Sequence, residues 1–327
     1  MRTGSEMTRA VRQDRYMDQS IDLHAYCRRT GYAGALEPTL DTLVALHLRH
    51  AEAIAFENLN PLLGWPVRLD PASLQRKLVH DGRGGYCYEQ NLLFGHVLKA
   101  LGFRVTGLAA RVLWTYHAED AITARTHQLL RVELEDGPYL VDVGFGGQTL
   151  TGPLRLEPEL EQATPHEPFR LVPADDGFEM QSKIGTDWKT LYRFDLQEVF
   201  QPDYEIFNYY LSTHPDSLFL NALVVARPAA GRRYGLFNNL FAVHHLDGPT
   251  ERRVLESVTE VRETLENVFE LRLPDAPNLD RAIARVFRRP DRLRPAREAP
   301  PLETRLVDQA GFARSRRCTS SRTTWVR

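Results

Sequence analysis

At 327 residues, 43% of them hydrophobic and 26% charged, the chain is long enough for two or three packed regions, and it has no run of about 18 apolar residues to cross a membrane as a helix. A formal net charge of -2 argues against a dedicated nucleic-acid binder, although the balance is uneven: residues 288–327 hold eleven Arg, no Lys and four acids. The three cysteines, Cys27, Cys87 and Cys318, match no disulfide or zinc spacing, so the expectation is free thiols in a reducing cytoplasm and no metal.

Residues 1–19 read as a polar extension without the apolar stretch of a secretory signal. The next part, 20–102, reads as helical. Asp22 is placed to cap a helix that Gly31 stops, and "PTLDTLVALHLRH" repeats Leu40, Leu43 and His47 at helical spacing, with Leu46 between them. "DPASLQRKLVH" opens on an Asp cap and a first-turn Pro. After Cys87, Leu92, Leu93, His96, Val97 and Ala100 are expected on one helix face, ending at Gly102. From 103 to 205 the pattern turns short and β-branched, as in "FRVTGLAARVLW", "THQLLRVELE" and "YLVDVGF", with Asp136-Gly137 as the expected hairpin turn. This region is expected to be an antiparallel sheet or small barrel. The part 206–288 is mixed: "SLFLNALVVARP" and "RRYGLFNNLFAVHHL" read as strands, and "TEVRETLENVFEL" as a helix capped by Thr259. Pro and Arg dominate 289–327, which reads as a disordered tail.

Within "RGGYCYEQN", residues 83–91, Cys87 follows two glycines at the start of a helix. There a thiolate would face unpaired N–H groups and the positive end of the helix dipole, which also suit an oxyanion. A nucleophilic cysteine needs a base, and the base needs an orienting partner. His127 opens one strand. Asp142 is the odd residue in the apolar "YLVDVGF", where a buried carboxylate is costly without a partner. A two-residue turn at Asp136-Gly137 sets His127 opposite Gly146 and leaves Asp142 four positions away. Taken singly, each residue has a plainer reading: a small buried Cys, a polar strand His, a turn Asp. In the order Cys, His, Asp they point to an acyl-transfer triad.

The stretches "FENLNPLLG" (56–64), "RGGYCYEQN", "RTHQLLRVE" (125–133), "YLVDVGFGG" (139–147) and "STHPDSLF" (212–219) resemble the arylamine N-acetyltransferase family of bacterial type over residues 20–288. The resemblance implies an α+β fold with an N-terminal helical bundle, a central antiparallel β-barrel and a C-terminal α/β lid around a papain-like, transglutaminase-like core. It implies Cys87 as nucleophile, His127 as base and Asp142 as orienting group, with Arg83 and Glu57 paired beneath them. It places Phe56, Val112, Thr126, Phe145 and Phe219 in the acceptor pocket, and Gly144, Gly146, Gly147 and His214 on the coenzyme A side. The activity implied is ping-pong transfer of acetyl from acetyl-CoA, a substrate and not a resident cofactor, to an aromatic amine or hydrazine. A macrolactam-forming amide synthase shares this triad and stands as the alternative. A cysteine peptidase or transglutaminase and a non-catalytic binding protein are the readings from other classes.

Overall fold

The computed structural model describes residues 21–114 and 122–287. The polar extension 1–19 and the tail 289–327, with Cys318, lie outside the described residues. The first helix, α1 (Leu23–Thr30), is capped where the sequence places its signals: Asp22 accepts from Ala25 N–H at 2.9 Å and Gly31 closes the end at φ 66°. Thr39 caps α2 (Leu40–Ala53), which is followed by the two-residue strand β1 (Phe56–Glu57) and the short α3 (Leu59–Leu63). Asp70 and Pro71 begin α4 (Pro71–Leu74), which widens into a π-helical stretch over Gln75–His80. The helix bearing the candidate nucleophile, α5 (Cys87–Ala100), packs on α1 and α2 through Leu93, Phe94, Val97 and Leu98. This corrects the expected face: Phe94 and Leu98 are buried, whereas Ala100 is exposed and His96 half-buried. The first two turns of α5 are buried on nearly every side, so a single-face pattern cannot describe them.

The strands β2 (Arg104–Val112), β3 (Arg125–Leu134), β4 (Gly137–Val141), β5 (Leu154–Arg155), β6 (Phe169–Ala174), β7 (Gly177–Ile184) and β8 (Asp187–Phe194) form one sheet in the order β5-β4-β3-β2-β8-β7-β6. Bridges from Pro158 to Leu171 and from Gln162 to Phe169 draw the chain after β5 onto β6 and nearly close the barrel. Leu108, Leu129, Leu140, Phe169 and Tyr192 fill its interior. The β3–β4 hairpin turns at Glu135-Asp136, one residue earlier than expected, so Leu134 pairs with Gly137 and Leu130 with Val141. The Pro138 ring cannot donate a ladder hydrogen bond, yet it is tolerated here, paired with Glu133 inside β4.

The third region begins with α6 (Gln201–Thr213) and α7 (Leu218–Asn221), followed by β9 (Val224–Ala229), β10 (Arg232–Phe237), β11 (Leu240–His245), β12 (Glu251–Val254), α8 (Val258–Asn267) and α9 (Leu279–Phe287). "SLFLNALVVARP" is therefore a helical turn and then a strand, since Ser217 caps α7. "RRYGLFNNLFAVHHL" is a hairpin turning on Asn238-Asn239, with Asn238 at φ 56°, the left-handed conformation such a two-residue turn requires. The cap of α8 is Ser257, not Thr259; the Ser257 side chain accepts from Glu260 N–H, and Thr259 lies inside the helix. The second sheet, β1-β9-β10-β11-β12, starts with a strand from the helical region, so Phe56 and Glu57 pair with Ala226 and Val225. Arg233, fully buried on β10, ties this sheet to the barrel: it pairs with Glu167 and donates to Thr149 O at 2.9 Å. No helix among the described residues is long and apolar enough to cross a membrane.

Candidate active site

Cys87 is the first residue of α5, buried with 4% of its surface exposed. Tyr86 N–H just before it donates to Glu89 Oε2 at 3.2 Å, so the N3 carboxylate satisfies one free donor of the helix start. The loop ahead is held tightly on β1: Glu57 N–H donates to Gly85 O at 3.1 Å, and Phe56 bridges Gly85. A Cβ on Gly84 would lie 2.0 Å from Ala55 O, so the double glycine is needed for close backbone approach.

His127 reaches Cys87 through a β-bulge. Ala110 pairs with His127 and Arg111 with Arg125, which leaves Thr126 unpaired on β3. The freed Thr126 carbonyl lies 3.6 Å from Cys87 Sγ, and Cys87 is close enough to the His127 ring to help raise its pKa. On its other edge, His127 Nε2 donates to Asp142 Oδ2 at 2.7 Å. Nδ1 is therefore the ring nitrogen left free of Asp142. The observed hairpin register explains this contact. Carried on past β4, it sets Gly144 opposite His127, so Asp142 is two positions off on the same face, a diagonal neighbour.

Asp142 is fully buried, and both of its carboxylate oxygens are well supplied with donors. Tyr192 O–H donates to Oδ2 at 3.0 Å, while Asn91 Nδ2 (3.0 Å) and Gly144 N–H (2.9 Å) donate to Oδ1. Burial pushes its pKa up, but the adjacent His127 charge and these donors outweigh burial and hold it below the ordinary aspartate value. For His127 burial works against the charged form, and Asp142 and Cys87 overcome it, raising the pKa to about 10. The imidazole is thus held protonated at neutral pH. Behind the pair, His47 Nε2 donates to the Asp142 carbonyl at 3.2 Å; burial lowers this histidine to about 4, so it serves as a neutral donor.

Glu57 and Arg83 meet beneath the loop, with Arg83 Nη2 2.7 Å and Nε 3.1 Å from Glu57 Oε1. Lys77 joins them, 2.6 Å from Glu89 and 3.8 Å from Glu57. Two buried acids thus face two cations, which offsets the cost of burying charge. The three residues of "FEN" serve different ends. Phe56 packs on Phe219 at 5.9 Å between ring centroids, Glu57 pairs with Arg83, and Asn58 donates to Phe219 O and Ala222 O.

Around the thiol, Phe145 lies edge-on to His127 at 5.1 Å, and Phe219 packs on Tyr86 at 5.2 Å. Val112 ends β2 opposite Tyr192, and Thr126 is the bulge residue. The glycines divide. Space beside Gly147 is open, and Gly146 sits at φ 84° against the Phe56 ring. Gly144 is packed shut: a Cβ would meet Asn91 Nδ2 at 2.7 Å and Cys87 Cα at 2.8 Å. His214 is exposed at the end of α6, stacked on Tyr210. Sequence reasoning passed over Asn91, Tyr192, His47, Lys77 and Glu89. Asn91 was findable, one helical turn after Cys87, and Glu89 as an N3 capping acid. Tyr192 had no local signal.

Gly144→Ala should force α5 and the Asp142 loop apart by tenths of an ångström. We expect acyl transfer to fall about 10–100-fold with a stability loss of about 1–3 kcal/mol, read by initial rates and thermal melting. Unchanged rates would show that the contact between this loop and α5 does not set the thiol's position.

No group of three or more His, Cys, Asp or Glu side chains among the described residues is arranged to hold a metal ion. The N-acetyltransferase family model matches residues 39–278. An arylamine N-acetyltransferase of Mycobacterium tuberculosis is 45% identical over 259 residues, 78% of this chain and 91% of that protein. One of Escherichia coli is 41% identical over 78% of this chain and 90% of its own length. The solved M. tuberculosis structure superposes with a TM-score of 0.78 at 44% identity, covering 80% of this chain and 99% of that one. The Mycobacterium marinum arylamine N-acetyltransferase solved in complex with CoA gives 0.78 at 42% identity, covering 81% and 98%. With its fold, its buried Cys87–His127–Asp142 constellation and these likenesses, the chain belongs to the arylamine N-acetyltransferase family, a family of acyltransferases.

Proposed function

We propose that this chain transfers acetyl from acetyl-CoA to an aromatic amine or hydrazine through a thioester on Cys87. The observation behind this reading is a thiol at a helix start facing a histidine that a buried, fully bonded aspartate keeps protonated. The proton shared by Cys87 and His127 rests on the imidazole. Sulfur attacks the thioester carbonyl carbon, and the free N–H groups at the start of α5 face the oxyanion that forms. When the tetrahedral species collapses, its bond to the CoA sulfur breaks and His127 protonates that sulfur. CoA leaves, and Cys87 keeps the acetyl group. Cys87 no longer carries charge, so one cause of the raised His127 pKa is gone and the neutral imidazole can take the proton of the incoming amine. The amine nitrogen bonds to the acetyl carbon, the Cys87 sulfur departs, and the amide product leaves the resting pair restored.

Phe56, Phe145 and Phe219 supply an aromatic wall on which an aryl acceptor would pack, with Val112 and Thr126 at its edge. The open side of Gly147 suits the pantetheine arm, and Gly146 keeps its approach free of a side chain. His214, exposed at the end of α6 with Nδ1 accepting from Asp216 N–H at 3.3 Å, is the residue to which we assign a polar contact with the CoA head. Aryl amines remain unprotonated at neutral pH, whereas alkyl amines are mostly charged, so the former are the acceptors.

Intact mass after mixing with acetyl-CoA alone tests this reading. The wild type should gain one acetyl group and lose it on adding an aromatic hydrazine, while Cys87→Ala should gain nothing. No gain on the wild type, or an equal gain on Cys87→Ala, would rule out the thioester at this residue.

A further inference from the structure

Away from Cys87 lies a cavity of about 450 Å3 whose wall is cationic. Arg28 and Arg29 reach it from the last turn of α1, His80 and Gly82 from the end of the π-helical stretch, and Glu270 and Arg272 from the chain after α8. Three guanidiniums thus share the wall with one carboxylate, and that carboxylate is engaged elsewhere: Arg227 Nη1 lies 3.0 Å from Glu270. The C-terminal end of α1 contributes roughly half a negative charge, too little to offset the excess. Arg29 donates Nε–H to Leu78 O at 3.1 Å, but its Nη2 is buried with no acceptor. Burial, followed by the opposing pull of Glu270 and the push of Arg272 and Arg227, lowers the Arg29 pKa, as expected of an under-compensated cation. A buried donor without a partner and an excess of positive charge are both relieved by the same thing, an anion with several oxygen acceptors.

We propose that this cavity binds a phosphate-bearing small molecule, held by Arg28, Arg29 and Arg272, at a site separate from that of the acyl donor. The oxygens of a phosphate match the fork of a guanidinium. The cavity volume lies in the range of small-molecule sites and exceeds what a lone phosphate ion fills, so an organic phosphate or diphosphate is the class of ligand. Such a ligand would link three chain segments, α1, the stretch before Arg83 and the segment after α8. Bound there, it stabilises the fold by mass action. Gly82 belongs to this contact: the Arg272 Cδ would be 2.7 Å from a Cβ there, so the arginine lies flat on the backbone just before the "RGG" loop.

The test uses the full chain and inorganic pyrophosphate as probe, with sodium chloride at matched ionic strength as control. Pyrophosphate should raise the melting temperature by roughly 2–4 °C beyond the chloride control. Arg28→Ala/Arg272→Ala should weaken pyrophosphate binding, measured by calorimetry, by about tenfold or more, while Arg104→Ala, exposed on the barrel, leaves it unchanged. Both variants should keep the wild-type acetyl-transfer rate, which shows that they are folded. The double variant should also keep the wild-type KM for acetyl-CoA. An equal shift with chloride, binding within about twofold of wild type in the double variant, or a KM for acetyl-CoA raised about tenfold by the double variant would each overturn the proposal; the last would place the phosphate in the donor's own site.

Discussion

Asp142→Asn should lower the rate of acetyl transfer by about 10^3–10^4, equivalent to about 4–5.5 kcal/mol of transition-state stabilisation. The reason lies in the donors around the carboxylate. Asn91 Nδ2 and Gly144 N–H both point at Oδ1, so the amide oxygen of the variant must take that side. Its NH2 then faces His127 Nε2 and makes that nitrogen an acceptor. The ring proton moves to Nδ1, the nitrogen left free of Asp142, and the imidazole cannot accept the Cys87 proton. Charge acts in the same direction. With the Asp142 carboxylate gone, burial dominates, and the His127 pKa falls from about 10 to below the ordinary histidine value. Alkylation of Cys87 by iodoacetamide at neutral pH checks this separately from turnover, and the variant should react at least about tenfold more slowly than the wild type. A variant within tenfold of wild type would mean that Asp142 does not govern the His127 proton.

The same pair has a stability signature. The raised His127 pKa contributes stability that is present below the ordinary histidine value and lost as pH rises through about 10. The depressed Asp142 pKa contributes stability present above the ordinary aspartate value and lost as pH falls through its folded one. Both limbs belong to one interaction, so they are not summed.

Arg83→Met should destabilise the fold by about 3–5 kcal/mol, a drop in melting temperature of roughly 6–20 °C. Glu57 is wholly buried and would keep the Leu59 N–H at 2.5 Å but, as a counter-charge, only the more distant Lys77, which is already bound to Glu89. An uncompensated buried carboxylate costs more than the pair returns, so Arg83→Met/Glu57→Met should be less damaged than Arg83→Met alone. The pH sign separates this account from a simple packing loss. In the wild type, burial raises the Glu57 pKa, Arg83 and Lys77 outweigh burial, and the net shift is downward, so its stabilisation is lost as pH falls. Without Arg83 the burial effect prevails, Glu57 takes a proton more readily, and the gap between variant and wild type should narrow on acidification. Urea midpoints at mildly acidic and mildly alkaline pH measure it. A gap that is constant with pH would assign the loss to packing.

Local physics wrote much of this protein into its sequence. Asp22, Thr39 and Asp70 each bond the amide three residues on, because capping needs only neighbours along the chain. Cys87 at a helix start after two glycines is legible for the same reason. The errors fell where two local signals compete. Thr259 and Ser257 are both cap residues, and only the path of the chain into α8 selects Ser257. Asp136-Gly137 is the stronger local hairpin signal, but the pairing of β3 with β4 puts the turn at Glu135-Asp136 and leaves Gly137, at φ 127°, as the first residue of β4. That one-residue choice brings Asp142 within reach of His127.

The sequence by itself determined the order of elements and the presence of a thiol, an imidazole and a carboxylate in suitable local settings; the pairing of Glu57 with Arg83 came only from the family resemblance. Only the tertiary structure decided which atoms meet. The Thr126 bulge turns the His127 ring to the sulfur, and Tyr192, fifty residues from Asp142, completes the carboxylate's bonds. The cationic cavity gathers Arg28, Arg29 and Arg272 from ends of the chain that no periodicity links. Contacts between distant segments depend on register and packing summed over the whole fold, and those are fixed by the folded state, not by any short window of residues.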